Sequence, residues 1–205
     1  MRRKSIGTVR LLIAAIAVMV FAAAPAVWAA GSDEIVQLKI RSDKENATIE
    51  VPLPVLEFLQ KHKVCKKLDA GTINGQKVTL SLDQLMRALK DTRAKGGETL
   101  LMKIEEPKET TTIHLALAKD TVSRPGKKPT SVVLTAKDRD EEGPTRITVP
   151  LSTVDMIFGS IKVEGEGHDD TTPLFRDLLS FARDMGTGML ARVVSDDGEV
   201  TLTLE

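Results

Sequence analysis

The densest group of side chains able to do chemistry is Glu164-Gly165-Glu166-Gly167-His168-Asp169-Asp170. Its carboxylates would suit a hard cation, and His168 could add a nitrogen ligand. The same composition also describes a pliable acidic loop, which is ordinarily a solvated surface. We therefore expect no metal and no cofactor. Glu164, Glu166, His168, Asp169 and Asp170 are kept as the alternative metal ligands. Asp138-Arg139-Asp140-Glu141-Glu142-Gly143 partly matches a calcium-binding loop. Such a loop needs a bidentate Glu at its twelfth position, which here is Val149, and it needs flanking helices. A solvated hairpin turn is the expectation instead.

For catalysis a nucleophile, a base and an orienting group must converge. His62, His114 and His168 lie in three separate segments, and none falls in a motif for hydrolysis or phosphate binding. Cys65 sits among basic residues in Lys61-His62-Lys63-Val64-Cys65-Lys66-Lys67, which would lower a thiol pKa. It lacks a partnering base, so a lone Cys at a helix end is the expectation. Gly186-Thr187-Gly188 fits a helix stop and a strand start rather than a nucleotide fingerprint. Asn46-Ala47-Thr48 is a glycosylation sequon, meaningful only in a eukaryotic secretory route. No catalytic residue is assigned.

The N-terminus carries an address. Arg2, Arg3, Lys4 and Arg10 precede an uncharged apolar run over 11–24, then Pro25 and Val27-Trp28-Ala29-Ala30. This is the three-part grammar of a secretory signal, with cleavage expected after Ala29 or Ala30. An uncleaved anchor is the alternative. The style points to a bacterium, and to the periplasm or beyond. Four of the 29 basic residues and none of the 29 acidic ones lie in 1–30, which leaves the exported chain a net charge of −4. That balance argues against nucleic-acid binding. With Trp28 removed and no Tyr, the exported aromatics are Phe58, Phe158, Phe175 and Phe181. All four fall in apolar helical patterns, so stacking platforms for bases or sugars are not expected. A single Cys excludes an intramolecular disulfide, and the fold must rest on its apolar core.

The elements follow from periodicity. Val36, Leu38 and Ile40, and then Ile49, Val51 and Leu53, alternate with polar residues on either side of a polar turn, which predicts a hairpin. Pro54 suits the first turn of a helix bearing Val55, Leu56, Phe58 and Leu59. Asn74-Gly75 signals a turn of an accessory hairpin. Ser81-Leu82-Asp83-Gln84 has the capping-box pattern ahead of Leu82, Leu85, Met86 and Leu89, and Gly96-Gly97 stops that helix. Segments 100–105 and 111–118 form a closing hairpin, with His114 on the face opposite Ile113 and Leu115 and expected to be exposed. Residues 119–130, with Pro125-Gly126 and Pro129, read as a linker. The plan then recurs: strands at 132–136 and 145–151, a cap at Ser152, helices after it and from Thr172, and a hairpin across Asp197-Gly198.

Val51-Pro52-Leu53 and Val149-Pro150-Leu151 mark the two copies. The expected organisation is a signal peptide at 1–30, one α+β unit at 31–118, a linker at 119–130 and a second unit at 131–205. Each unit is an antiparallel sheet of two hairpins with helices on one face, and the two sheets stand side by side or join. Leu38-Lys39-Ile40-Arg41, Ile49-Glu50-Val51-Pro52-Leu53 and 189–205 resemble a small module of bacterial envelope-stress proteins. There it often follows a helical SHOCT-like segment, which this chain replaces with the signal. The resemblance implies a non-enzymatic interaction module. The expected function is thus an exported protein that binds a protein or envelope component through sheet edges or the face opposite the helices. It has no membrane-spanning segment once the signal is cleaved. The alternatives are a periplasmic ligand- or metal-binding protein and, third, a hydrolase.

N-terminal sequencing of the exported protein is expected to begin near Ala30 or Gly31. An intact N-terminus recovered from the membrane fraction would establish the anchor instead.

Overall fold

The computed structural model describes residues 34–43, 46–61, 67–73, 76–107, 109–119, 127–160 and 180–205. In chain order the first half gives β1 (Glu34–Arg41), β2 (Asn46–Pro52), α1 (Leu53–Lys61), β3 (Lys67–Ile73), β4 (Gln76–Ser81), α2 (Leu82–Lys95), β5 (Glu98–Glu106) and β6 (Glu109–Lys119). The second gives β7 (Ser131–Asp138), β8 (Thr145–Pro150), α3 (Leu151–Ser160), β9 (Gly188–Ser195) and β10 (Gly198–Leu204). Residues 180–185 are also helical.

The period-two segments pair as antiparallel hairpins, because alternation presents one apolar face to be covered. Eight strands then join in the order β5-β6-β1-β2-β9-β10-β7-β8, and β3-β4 stands apart as a two-stranded ribbon. The fold is α+β. The hairpins do not form two separate sheets: β2 pairs with β9 over Ala47↔Ser195, Thr48↔Val194, Ile49↔Val193 and Glu50↔Arg192. The turns at the end of this seam are tied as well. Asn46 N donates to Asp196 Oδ2 at 2.9 Å, and Asp196 N donates to Asn46 O at 3.3 Å.

One face of the sheet carries Val36, Leu38, Ile49, Ile113, Leu115, Val132, Val193, Leu202 and Leu204, all buried in a single apolar cluster. Helix residues close that cluster from above: Leu53, Val55, Leu56, Phe58 and Leu59 of α1, Leu82, Leu85 and Leu89 of α2, Leu151 and Val154 of α3, and Phe181 and Ala182. Phe58 stacks on Phe181 with ring centroids 4.6 Å apart, so the helices of the two halves share one core. The second face is mixed rather than uniformly polar, since Ile35, Ala116 and Val133 are buried there too.

Both marked strands pass into a helix without a loop. Pro52 ends β2 and Leu53 opens α1, just as Pro150 ends β8 and Leu151 opens α3. The cap expected at Ser152 therefore falls inside α3, and Leu151 N donates instead to Thr130 O at 2.9 Å. The capping box at Ser81 also fails. Ser81 is the N-cap residue of α2, with the extended backbone angles of that position, but its side chain makes no cap bond; it is also the last paired residue of β4. The stop at Gly96 forms: with φ 70° its N–H donates to Thr92 O at 2.8 Å, and Gly97 follows at φ 80°. The Thr92 hydroxyl lies 2.8 Å from both Ala88 O and Thr99 Oγ1, which docks α2 onto β5. At the far turn Gly198 is required by space: a Cβ there would meet Lys137 O at 2.4 Å.

Two outcomes test this packing. Phe58→Ala is expected to cost about 3–5 kcal/mol in urea unfolding, with both halves lost in one transition because the core is shared. Thr111 Oγ1 is buried with no partner among the described residues, so Thr111→Val is expected to stabilise by about 1 kcal/mol in the same assay.

Candidate functional site

Chemistry-bearing side chains gather where the two halves meet, on the face away from the helices. Alternation puts Gln37 of β1, Glu50 of β2, Arg192 of β9 and Thr201 of β10 in one cross-strand row. Gln37 Nε2 donates to Glu50 Oε1 at 2.7 Å. Arg192 Nη1 donates to Glu50 Oε2 at 3.3 Å and Arg192 Nε to Glu199 Oε1 at 2.8 Å, while Thr201 Oγ1 donates to Glu199 Oε1 at 3.1 Å. One guanidinium thus serves a carboxylate on each side of it. The hydrogen bond from Arg192 holds the Glu199 carboxyl below its ordinary pKa, against the opposing effect of burial. The same bond, outweighing desolvation, raises the pKa of Arg192. The Glu199 carboxylate held ionised in this way fastens β9 to β10 and is poorly placed to take up a proton at neutral pH.

A second group lies across β5, β6 and β1. Lys39 Nζ stands 2.8 Å and Arg41 Nη2 3.0 Å from Glu98, and His114 Nδ1 is 4.0 Å from Glu98 Oε2. The hydrogen bond from Lys39 is the main reason that the Glu98 carboxyl titrates below its ordinary range. His114 does lie on the face opposite Ile113, but it is half-buried rather than exposed, because Glu98 and the neighbouring strands flank it.

The third feature is the pair of outer strands. Among the described residues β5 and β8 each have a strand on one side only. Thr145, Arg146, Ile147 and Thr148 of β8 are exposed. Two large apolar side chains stand on these edges, Leu100 of β5 at 52% exposure and Ile147 of β8 at 53%. Charges flank them: Lys103 pairs with Glu105, and Arg146 with Glu205.

The residues singled out from the sequence are placed as follows. Glu164, Glu166, His168, Asp169 and Asp170 lie outside the described residues, as do His62 and Cys65. Asp138 ends β7, its Oδ1 accepts from Asp140 N at 3.2 Å, and its carbonyl accepts from Glu141 N at 3.4 Å. That is the hairpin turn expected of the segment. Among the described residues no three of His, Cys, Asp and Glu stand close enough to hold a metal ion. No helix among them is long and apolar enough to cross a membrane. The Glu50–Arg192–Glu199 ladder was not found from the sequence. Its signal was present only as polar residues at alternate strand positions, and pairing them requires knowing that β2 meets β9.

Comparison with models of known protein families, with curated proteins and with solved structures finds no match to this chain.

Removing the shared cation checks the ladder. Arg192→Gln is expected to destabilise on the order of 1 kcal/mol, the value of a charge-assisted bond discounted for its exposure. The pH dependence has a fixed sign. A carboxyl with a lowered folded pKa contributes in full above the unfolded value of about 4.3. It loses that contribution as pH falls through the folded value. The difference between wild type and Arg192→Gln should therefore be flat above about pH 5 and shrink below about pH 4.

Proposed function

We propose that this is an exported, non-enzymatic interaction protein of the bacterial cell envelope, built as a tandem of one α+β unit, which binds a protein partner along its sheet edges. The order of strands supports the tandem reading. The first half runs β5-β6-β1-β2 and the second β9-β10-β7-β8, so in each the closing hairpin lies beside the opening one. The equivalences are residue for residue. Val36↔Val51 is matched by Val132↔Val149, and Leu38↔Leu115 by Leu134↔Leu202. The closing hairpin carries a register shift in both halves, opposite Ile113 and His114 in the first and at Leu202 and Thr203, two pairs further along, in the second. The signal-like N-terminus supports export. The β3-β4 ribbon belongs to the first half.

One observation carries the binding mode. Among the described residues, each outer strand combines a free side with an exposed apolar side chain, Leu100 on β5 and Ile147 on β8. A strand edge offers main-chain donors and acceptors in a row, and an extended partner satisfies them by adding to the sheet. Apolar residues at alternate positions then supply the contact area.

A photo-crosslinking residue placed at Ile147 or at Leu100 in the exported protein is expected to give discrete protein adducts in the envelope fraction. The same residue at Lys137, exposed on the sheet face, is expected to give none. Adducts from neither edge would overturn the reading.

A further inference from the structure

We infer that the partner at these edges is a second copy of this chain, added head to tail, with β8 of one molecule lying antiparallel against β5 of the next. This rests on the edge-binding reading and adds the identity of the partner.

The chain already contains that junction once. The β2·β9 seam joins the outer strand of one opening hairpin to the outer strand of one closing hairpin. By the equivalences above, β8 corresponds to β2 and β5 to β9. Among the described residues, the two free edges are therefore the two sides of the chain's own internal seam, left without partners.

The seam's register transfers from Met102 onward, and a bulge that β9 lacks at the matching position follows between Leu100 and Met102. Ile49 corresponds to Ile147, since they face Leu38 and Leu134. Val193 corresponds to Met102, since they face Val200 and Ile113. The internal pair Ile49↔Val193 becomes Ile147 opposite Met102, both apolar and on the core side. Glu50↔Arg192 falls at the β5 bulge, where Leu100 and Leu101 together stand opposite Thr148. Ile147 thus lies inside the copied stretch and Leu100 at its bulged end. The surroundings also transfer, since the outer strand of each opening hairpin runs directly into a helix over the core face. The internal pairing stops at Glu50, two residues short of Pro52, and the copied stretch 145–148 stops two residues short of Pro150. Neither proline obstructs it.

What does not transfer makes the outer junction weaker than the inner one. The Asn46–Asp196 clasp falls at Pro144 and Glu105, and Pro144 has no N–H to donate. Thr48↔Val194 becomes Arg146 opposite Lys103, a like-charged pair whose repulsion is softened by the Glu205 and Glu105 carboxylates already bound to them. The association is accordingly reversible. A head-to-tail contact does not close on itself, so it extends into a filament rather than stopping at a dimer.

Sedimentation of the exported protein over a concentration series tests this. The wild type is expected to show a mass that rises steadily with concentration. Ile147→Lys blocks one edge and Leu100→Lys the other, and each alone should weaken association at least about tenfold. Both side chains are more than half exposed in the single molecule, so unchanged unfolding midpoints will show that the fold is intact. Mixed in equal amounts, the two variants should restore a species of two chains and nothing larger, because each supplies the edge that the other lacks. Charge reversal reports the register: Lys103→Glu or Arg146→Glu alone should tighten association, and the two in one chain should return it to the weak level. A wild type that stays monomeric to about millimolar concentration would overturn the inference. So would either blocked variant associating as strongly as the wild type, which would indicate a symmetric edge contact. Crosslinks from Ile147 and Leu100 that join only to other proteins would also overturn it, while leaving the edge-binding reading intact.

Discussion

The seam between β2 and β9 governs the rest of the structure. Four residue pairs bring the halves into one sheet, and every helix then has a single apolar surface to cover. The shared core follows from that joining. Phe58 reaches Phe181 only because the helices over the two halves lie above a continuous floor. The seam holds through main-chain pairing and apolar contact on the covered side. On the other side Arg192 adds a charge bridge to Glu50 and Glu199. Exposed ion pairs are individually weak, but this cation bridges strands from both halves.

Much of this was legible in the sequence, because local patterns dictate local structure. The alternation of Val36, Leu38 and Ile40 against Ile49 and Val51 located the first hairpin, and Leu82, Leu85 and Leu89 located the buried stripe of α2. Gly96 marked its helix end through the φ that a left-handed residue needs. The failures share a cause. Ser81 and Ser152 have the chemistry of helix caps, yet Ser81 stands at the cap position without a side-chain cap bond, and Ser152 lies inside a helix that already begins at Leu151. Capping patterns assume a loop before the helix, and tertiary pairing removed that loop.

The seam itself was not legible. Residues 47–50 and 192–195 are about 145 positions apart, and nothing in either segment names the other. A half-polar strand announces that it has two faces but not which edge meets which. The Arg192 ladder was hidden for the same reason. The acidic run at 164–170, the most conspicuous chemistry in the sequence, lies outside the described residues. Conspicuous residue types therefore pointed away from the side chains that hold the two halves together.

The direct passage from strand into helix at Pro52-Leu53 and at Pro150-Leu151 has a consequence for fidelity of assembly. A β-strand with a loop at its end can slide by two residues and keep its side chains on the same faces. Here sliding β2 would drag Leu53, Val55 and Leu56 of α1 out of the packed interior at the same moment, since no slack lies between them. The helix acts as a stop on the strand, and the proline at the join removes the N–H that a displaced pairing would use. An edge meant to be met by another strand is thereby kept in one alignment before its partner arrives.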